Sequence, residues 1–215
     1  LDYGWVMGHF ALSMLIILAA TVLAWRASRE PAQDGAPDVA RAPAPSAGDR
    51  LVALAVRALA ALGALTIFAG TAATAAGPHA GGSPGQRINR LSFDGRGTMD
   101  FVIHRHGEIA LTFALAAVAV WWLARRRAAD PRVRRALTVL CVLLALQGAV
   151  GLDQYETHLP AELVWVHVAL ACGAWLAALW AACAAGRLAP RRAASASERP
   201  LGTPLRGQNV PVGGP

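Results

Sequence analysis

The stretch FVIHRHGEIALTFALAAVAVWWLA, residues 101–124, decides the fold. It is predominantly apolar, opens with two histidines beside an arginine and a glutamate, and runs into Arg125, Arg126 and Arg127. A helix crosses about 30 Å of hydrocarbon with roughly 20 residues, so this block is long enough to span a bilayer. Four more blocks have the same length and character: 5–25, 52–76, 134–153 and 163–185. The chain is 55% hydrophobic and 15% charged, and its apolar residues are gathered into these blocks rather than spread periodically as in a soluble domain. An all-α membrane protein with five transmembrane helices is therefore predicted, in contact with membrane lipid.

The formal net charge is +7, and all 20 basic residues are Arg. Nearly all lie between or after the apolar blocks, where a membrane protein holds its cytoplasmic charge, so they do not read as a nucleic-acid footprint and no nucleic-acid partner is expected. The first loop holds Arg26, Arg29, Arg41 and Arg50, and the third holds Arg125, Arg126, Arg127 and Arg132 with Arg134 and Arg135 adjoining, which predicts that both are cytoplasmic. The fourth connection has Asp153, Glu156, His158 and Glu162 and no Arg, whereas the tail adds Arg187, Arg191, Arg192, Arg199 and Arg206. The second loop, with Arg87, Arg90 and Arg96, is assigned outside by alternation and by its stronger neighbours. The N-terminus then lies outside and the C-terminus in the cytoplasm. No Met opens the chain, and the run from Trp5 to Trp25 is too long for a signal peptide, so further helices are expected upstream. The absence of Lys and the abundance of Ala suggest a GC-rich bacterial genome, hence a multi-pass protein of the bacterial plasma membrane. Cys141, Cys172 and Cys183 all sit inside apolar blocks without CxxC spacing and read as small buried hydrophobes.

Helices one, three and five run in the same direction, and each carries a histidine shortly after its apolar start: His9 after Trp5, His106 after Phe101, His167 after Leu163. At about 1.5 Å per residue these offsets put all three imidazoles roughly 6 to 8 Å below the outer end of their helices. An ionisable side chain at that depth is costly and tends to face the bundle interior with a partner. Two neutral imidazoles facing each other at equal depth form the axial pair of a low-spin haem iron. His106 and His167 meet that condition. The competing reading is that each histidine simply hydrogen-bonds a neighbouring helix. His104 competes with His106, because two residues on a helix are about 200° apart and only one can face inward; His106 is the deeper and the better matched to His167. Arg105 is placed either to receive a haem propionate or to snorkel to the headgroups.

A weak internal repeat accompanies the histidines. Helix two ends in Gly70-Thr71-Ala72-Ala73-Thr74-Ala75-Ala76-Gly77-Pro78-His79, helix four ends in Gln147-Gly148-Ala149-Val150-Gly151-Leu152-Asp153-Gln154-Tyr155, and a histidine-bearing helix follows each. Small residues let backbones approach closely, which serves a flat macrocycle or ordinary helix packing equally well. His79 and His158 fall in the two outer loops.

These residues resemble those of the haem A synthases, the cytochrome oxidase assembly proteins that convert haem O to haem A. The resemblance rests on Gly8-His9-Phe10 with Leu12-Ser13-Met14, on Gly70-Thr71 leading to Gly77-Pro78-His79-Ala80-Gly81, and on the histidine at the start of helix three. It continues through Gln147-Gly148 with Gly151, Gln154-Tyr155, Leu159-Pro160 and Val164-Trp165-Val166-His167, covering most of residues 5–185. It implies two four-helix halves related by a pseudo-twofold. The chain would then begin at the fourth helix of the first half, with the family's catalytic Glu, its cysteine pair and the other first-half histidine upstream. Residues 1–25 would be a helix of that missing N-terminal half, 26–50 a cytoplasmic Pro-rich linker, 51–185 a four-helix haem-binding bundle and 186–215 a disordered cytoplasmic tail. His106 and His167 match the pair that holds a haem b cofactor, and His9 matches one of two histidines at the substrate haem. The chain departs from the family's usual His-Ala-Asp in reading His106-Gly107-Glu108.

The implied activity is oxidation of the C8 methyl of haem O to the formyl of haem A, by successive hydroxylations and loss of water from the gem-diol. The protein's part would be to position the porphyrin and tune electron transfer. Haem O synthase and cytochrome c oxidase assembly factors are the implied partners, and a homo-oligomer stays open. Two alternatives also stand: a b-type membrane cytochrome acting only in electron transfer through His106 and His167, and a non-catalytic membrane assembly protein whose histidines bond between helices.

Overall fold

The computed structural model describes residues 2–28, 47–78, 87–93 and 97–186. The linker expected at 26–50 and the tail expected at 186–215 lie outside the described residues except at their edges, as do Arg96 and His79. Five helices make up the described residues: α1 (Tyr3–Ala27), α2 (Ala47–Ala76), α3 (Thr98–Arg126), α4 (Pro131–Glu156) and α5 (Ala161–Ala184). Each is long and apolar enough to cross a membrane, and there is no strand among the described residues.

Most of the helices overrun the apolar blocks read from the sequence. A block measures the hydrocarbon thickness, whereas a helix continues through the interface until something caps it. Asp130 caps α4, its carboxylate accepting the Arg132 N–H at 2.7 Å, with Pro131 in the first turn where no N–H is required. Asp2 does the same for α1, accepting from the Gly4 N–H at 2.8 Å. Arg125 and Arg126 occupy the last turn of α3, where cations complement the helix dipole. At the end of α5, Gly186 takes up a left-handed conformation (φ +79°) and its carbonyl accepts a hydrogen bond from Arg57 of α2.

Helices α2, α3, α4 and α5 form a closed ring, each packed on its two neighbours, while the backbones of the diagonal pairs α2/α4 and α3/α5 stay apart. Short turns after α3 and α4 impose this antiparallel order. The second passes through His158 and Leu159, both at positive φ, and is held by the Leu159 N–H on the Gln154 carbonyl at 2.8 Å. Helix α1 lies outside the ring against α2 and α5. Trp175 fastens it, donating its indole N–H to the Met14 carbonyl at 3.2 Å, and Trp25 meets Trp180 edge to face at 5.0 Å.

The packed core is concentrated at one end of the ring. Val56, Val133, Leu137 and Leu140 are the largest fully buried side chains, joined there by Phe113, Ala117, Ala178 and Ala181. Beyond Leu140 on α4, and before Ala174 on α5, no described residue is buried. The other end of the ring is therefore less filled on its α4 and α5 sides, while Thr66, Thr71 and Ala75 of α2 and Val102 of α3 are buried there, and the histidines of α3 and α5 are found at that end.

A candidate haem site between α3 and α5

His106 and His167 project from the two diagonal helices toward each other, their ring centroids 6.3 Å apart and their planes 71° from parallel. Both are half-buried. The Nδ1 of His106 lies 3.1 Å from the Thr66 carbonyl of α2. Since a carbonyl can only accept, Nδ1 carries the proton and Nε2 keeps its lone pair. This is the usual arrangement of a ligating imidazole, oriented by its second nitrogen. Nδ1 of His167 is buried without a hydrogen-bond partner.

Each ring leans over a glycine on the neighbouring helix. A Cβ added to Gly70 of α2 would come within 3.0 Å of Cε1 of His106, and one added to Gly151 of α4 within 3.2 Å of Cε1 of His167. Gly148, three residues from Gly151, would meet nothing within 4 Å. The two small-residue helix ends are thus where imidazoles rest against backbone. A Cβ at either position would make a tight contact and require the ring to give.

The donor set suits one metal environment. An imidazole nitrogen binds a first-row metal at about 2.0–2.1 Å, so two imidazoles on opposite sides of one ion have centroids roughly 6 Å apart. Among the described residues, no group of three or more His, Cys, Asp or Glu is placed to hold a metal ion. Two imidazoles alone are a complete protein donor set when a macrocycle supplies the remaining ligands, as in a bis-histidine haem. The residues present therefore fit a haem: a facing pair, a fixed tautomer on one side, a buried unpaired ring nitrogen on the other, and two glycines that admit the rings.

The other histidines and Arg105 stand apart from this pair. His104 is exposed, donates from Nδ1 to the Asp100 carbonyl at 2.7 Å and meets Tyr155 edge to face at 6.1 Å. Arg105 is also exposed, bonded to Glu108 at 2.6 Å with its guanidinium over the Phe101 ring. His9 is exposed on α1, edge-on to Phe10 at 5.9 Å, and is not brought to the α3/α5 pair. Phe10 and Met14 of α1 line an open apolar cleft of about 290 Å³ with Ile67, Phe68 and Thr71 of α2 and Trp175 of α5. Sequence reasoning missed the Thr66 carbonyl, because every helical residue has one; its position one turn before Gly70 is the only signal that marks it.

Fold and site together define a multi-pass helical membrane protein with a diagonal pair of imidazoles inside a four-helix ring. The family model for cytochrome oxidase assembly proteins matches residues 4–179, and the chain belongs to that family. No curated protein and no solved structure gave a match.

Proposed function

We propose that this chain is a haem A synthase of the bacterial plasma membrane, oxidising the C8 methyl of haem O to the formyl of haem A for cytochrome c oxidase. The observation that carries this reading is the His106–His167 pair, 6.3 Å apart across the ring, in a chain of the cytochrome oxidase assembly family. Their two Nε2 atoms would hold haem b, which supplies one-electron transfer when bound. The chain's own residues do the rest. Thr66 keeps the proton of His106 on Nδ1, Gly70 and Gly151 let the rings reach the interior, and the apolar helices keep water from the centre. Arg105 stands at the mouth with a guanidinium suited to a propionate, provided it exchanges Glu108 for that partner.

The substrate haem O would lie on the α1 side, by His9, with the neighbouring cleft taking its apolar periphery. The arginine-rich turn between α3 and α4 would face the cytoplasm and the N-terminus the outside. Haem O synthase and cytochrome c oxidase assembly factors are the partners such a reaction needs.

Purified chain reconstituted with haem b tests the site. His106→Ala and His167→Ala should each abolish the low-spin spectrum, and His104→Ala should largely keep it. Bleaching by His104→Ala but not by His106→Ala would refute the assignment. Supplying haem O to the full-length protein then tests the reaction, since formation of haem A there supports the synthase. A pigment that stays haem b alone favours the b-type cytochrome, a reading that the completeness of the α3/α5 pair also supports. A colourless protein would sink both.

A further inference from the structure

The two imidazoles are held by corresponding frames, and the frames differ at one position. On α2, Gly70 receives the ring of His106 and the carbonyl one turn earlier, that of Thr66, accepts its Nδ1–H. On α4, Gly151 receives the ring of His167, with Nδ1 3.6 Å from the position of its absent Cβ, and the residue one turn earlier is Gln147. Residues four apart lie on one face of a helix, so Gln147 stands to Gly151 as Thr66 stands to Gly70. Among the described residues, three buried side-chain polar atoms have no hydrogen-bond partner, and two of them are Nδ1 of His167 and Oε1 of Gln147. One is an imidazole nitrogen in need of an acceptor and the other is an amide oxygen in need of a donor. Buried polar groups are rarely left unpaired, and these two flank the same glycine.

We infer that Gln147 is the positioning residue of His167, its carboxamide oxygen accepting the Nδ1–H and leaving Nε2 as the metal-binding nitrogen. The inference rests on the haem reading of the pair. Neither atom has a competing partner, and the Gln147 side chain has rotatable bonds with which to seek the donor. The consequence is an asymmetric pair. His106 is oriented by a main-chain carbonyl that no substitution removes, whereas His167 is oriented by a side chain whose acceptor strength sets how strongly the imidazole donates to iron. Gln147 is then the position at which this chain tunes its haem potential.

The test uses the full chain in detergent, titrated with haem b, and reads affinity, the low-spin absorption spectrum and the reduction potential of wild type, Gln147→Leu and Gln147→Glu. Gln147→Leu should weaken ferric haem binding by about 10- to 100-fold, the usual effect of losing an outer-shell partner. It should also raise the potential, because a poorer donor stabilises ferric iron less. Gln147→Glu, a stronger acceptor, should retain binding and lower the potential. Shifts of opposite sign are the signature, since a purely structural role would not reverse with acceptor strength. If Gln147→Leu does not fold, the downward shift in Gln147→Glu decides alone. Wild-type affinity and potential in both variants would overturn the inference and return the role to the main chain. A wild-type protein that gives no bis-imidazole spectrum would instead refute the haem reading itself, so the two failures are distinguishable.

Discussion

Replacing Gly70 by Ala places one methyl group where the His106 ring now rests, and the structure sets the size of the effect. The new Cβ would lie 3.0 Å from Cε1, 3.4 Å from Nδ1 and 3.5 Å from Nε2. Ordinary carbon–carbon contact is about 3.5–4.0 Å, so the ring must give by a few tenths of an ångström. Retreat is opposed because Nδ1 is tied to the Thr66 carbonyl at 3.1 Å, on the same helix as the intruding methyl. Hydrogen bonds of this type weaken beyond about 3.2 Å, so relieving the clash loses the bond that fixes the tautomer. Overpacking of this kind costs about 1–3 kcal/mol. If the strain falls on the ligand pair, haem b binding weakens by about 5- to 150-fold. Gly148→Ala is the control, since its Cβ meets nothing within 4 Å; there the gain in helix propensity, about 0.8–1 kcal/mol in water, should act alone. Gly151→Ala should fall between them, its Cβ meeting the His167 ring at 3.2 Å rather than 3.0 Å. The assay is a titration of the purified chain with haem b followed at the Soret band, paired with thermal unfolding of the haem-free protein. Wild-type affinity in Gly70→Ala, or an equal loss in Gly148→Ala, would refute the claim that these rings rest on glycine.

Two further outcomes concern stability. Leu137 is fully buried in the core at the end away from the histidines, so Leu137→Ala should cost about 2–5 kcal/mol of bundle stability while leaving haem b affinity of the folded fraction unchanged. Unfolding in a denaturing detergent alongside the same titration checks both halves. The Asp2 carboxyl is held below its ordinary value by the Gly4 N–H and then by the Asn89 amide, so its contribution to the start of α1 is present at neutral pH and is lost as pH falls through its lowered value. Following the Gly4 and Asn89 amide resonances should give a common midpoint below the ordinary Asp value of about 3.9, and a midpoint above it would contradict the cap.

The existence of five spans was legible because apolar length is a one-dimensional quantity: residues 101–124 are long enough whatever surrounds them. The near-equal depth of His106 and His167 was legible for the same reason, since depth follows from counting residues along a helix of fixed rise. Helix rotation was much harder to read. In a soluble bundle the polar face reports which side looks outward, but lipid is as apolar as the interior, and large side chains such as Leu12, Leu115, Val142 and Leu176 are exposed on these helices. Hydrophobic pattern therefore could not decide between His104 and His106. The packing of α3 in the ring decides it, turning His106 toward His167 and leaving His104 exposed. The small-residue ends of α2 and α4 were visible as composition, yet the separate roles of Gly70, Gly148 and Gly151 emerge only once neighbouring rings are placed beside them.

By itself, then, the sequence determined the number of apolar spans, the family resemblance and the matched register of His106 and His167 along their helices, all of which depend on order and length along one chain. Only the tertiary structure decided which helices stand diagonally, which imidazole faces which, and which carbonyl holds the proton of His106. Those depend on how each helix is turned about its axis, and in a bilayer close packing of neighbouring helices, rather than hydrophobicity, sets that angle.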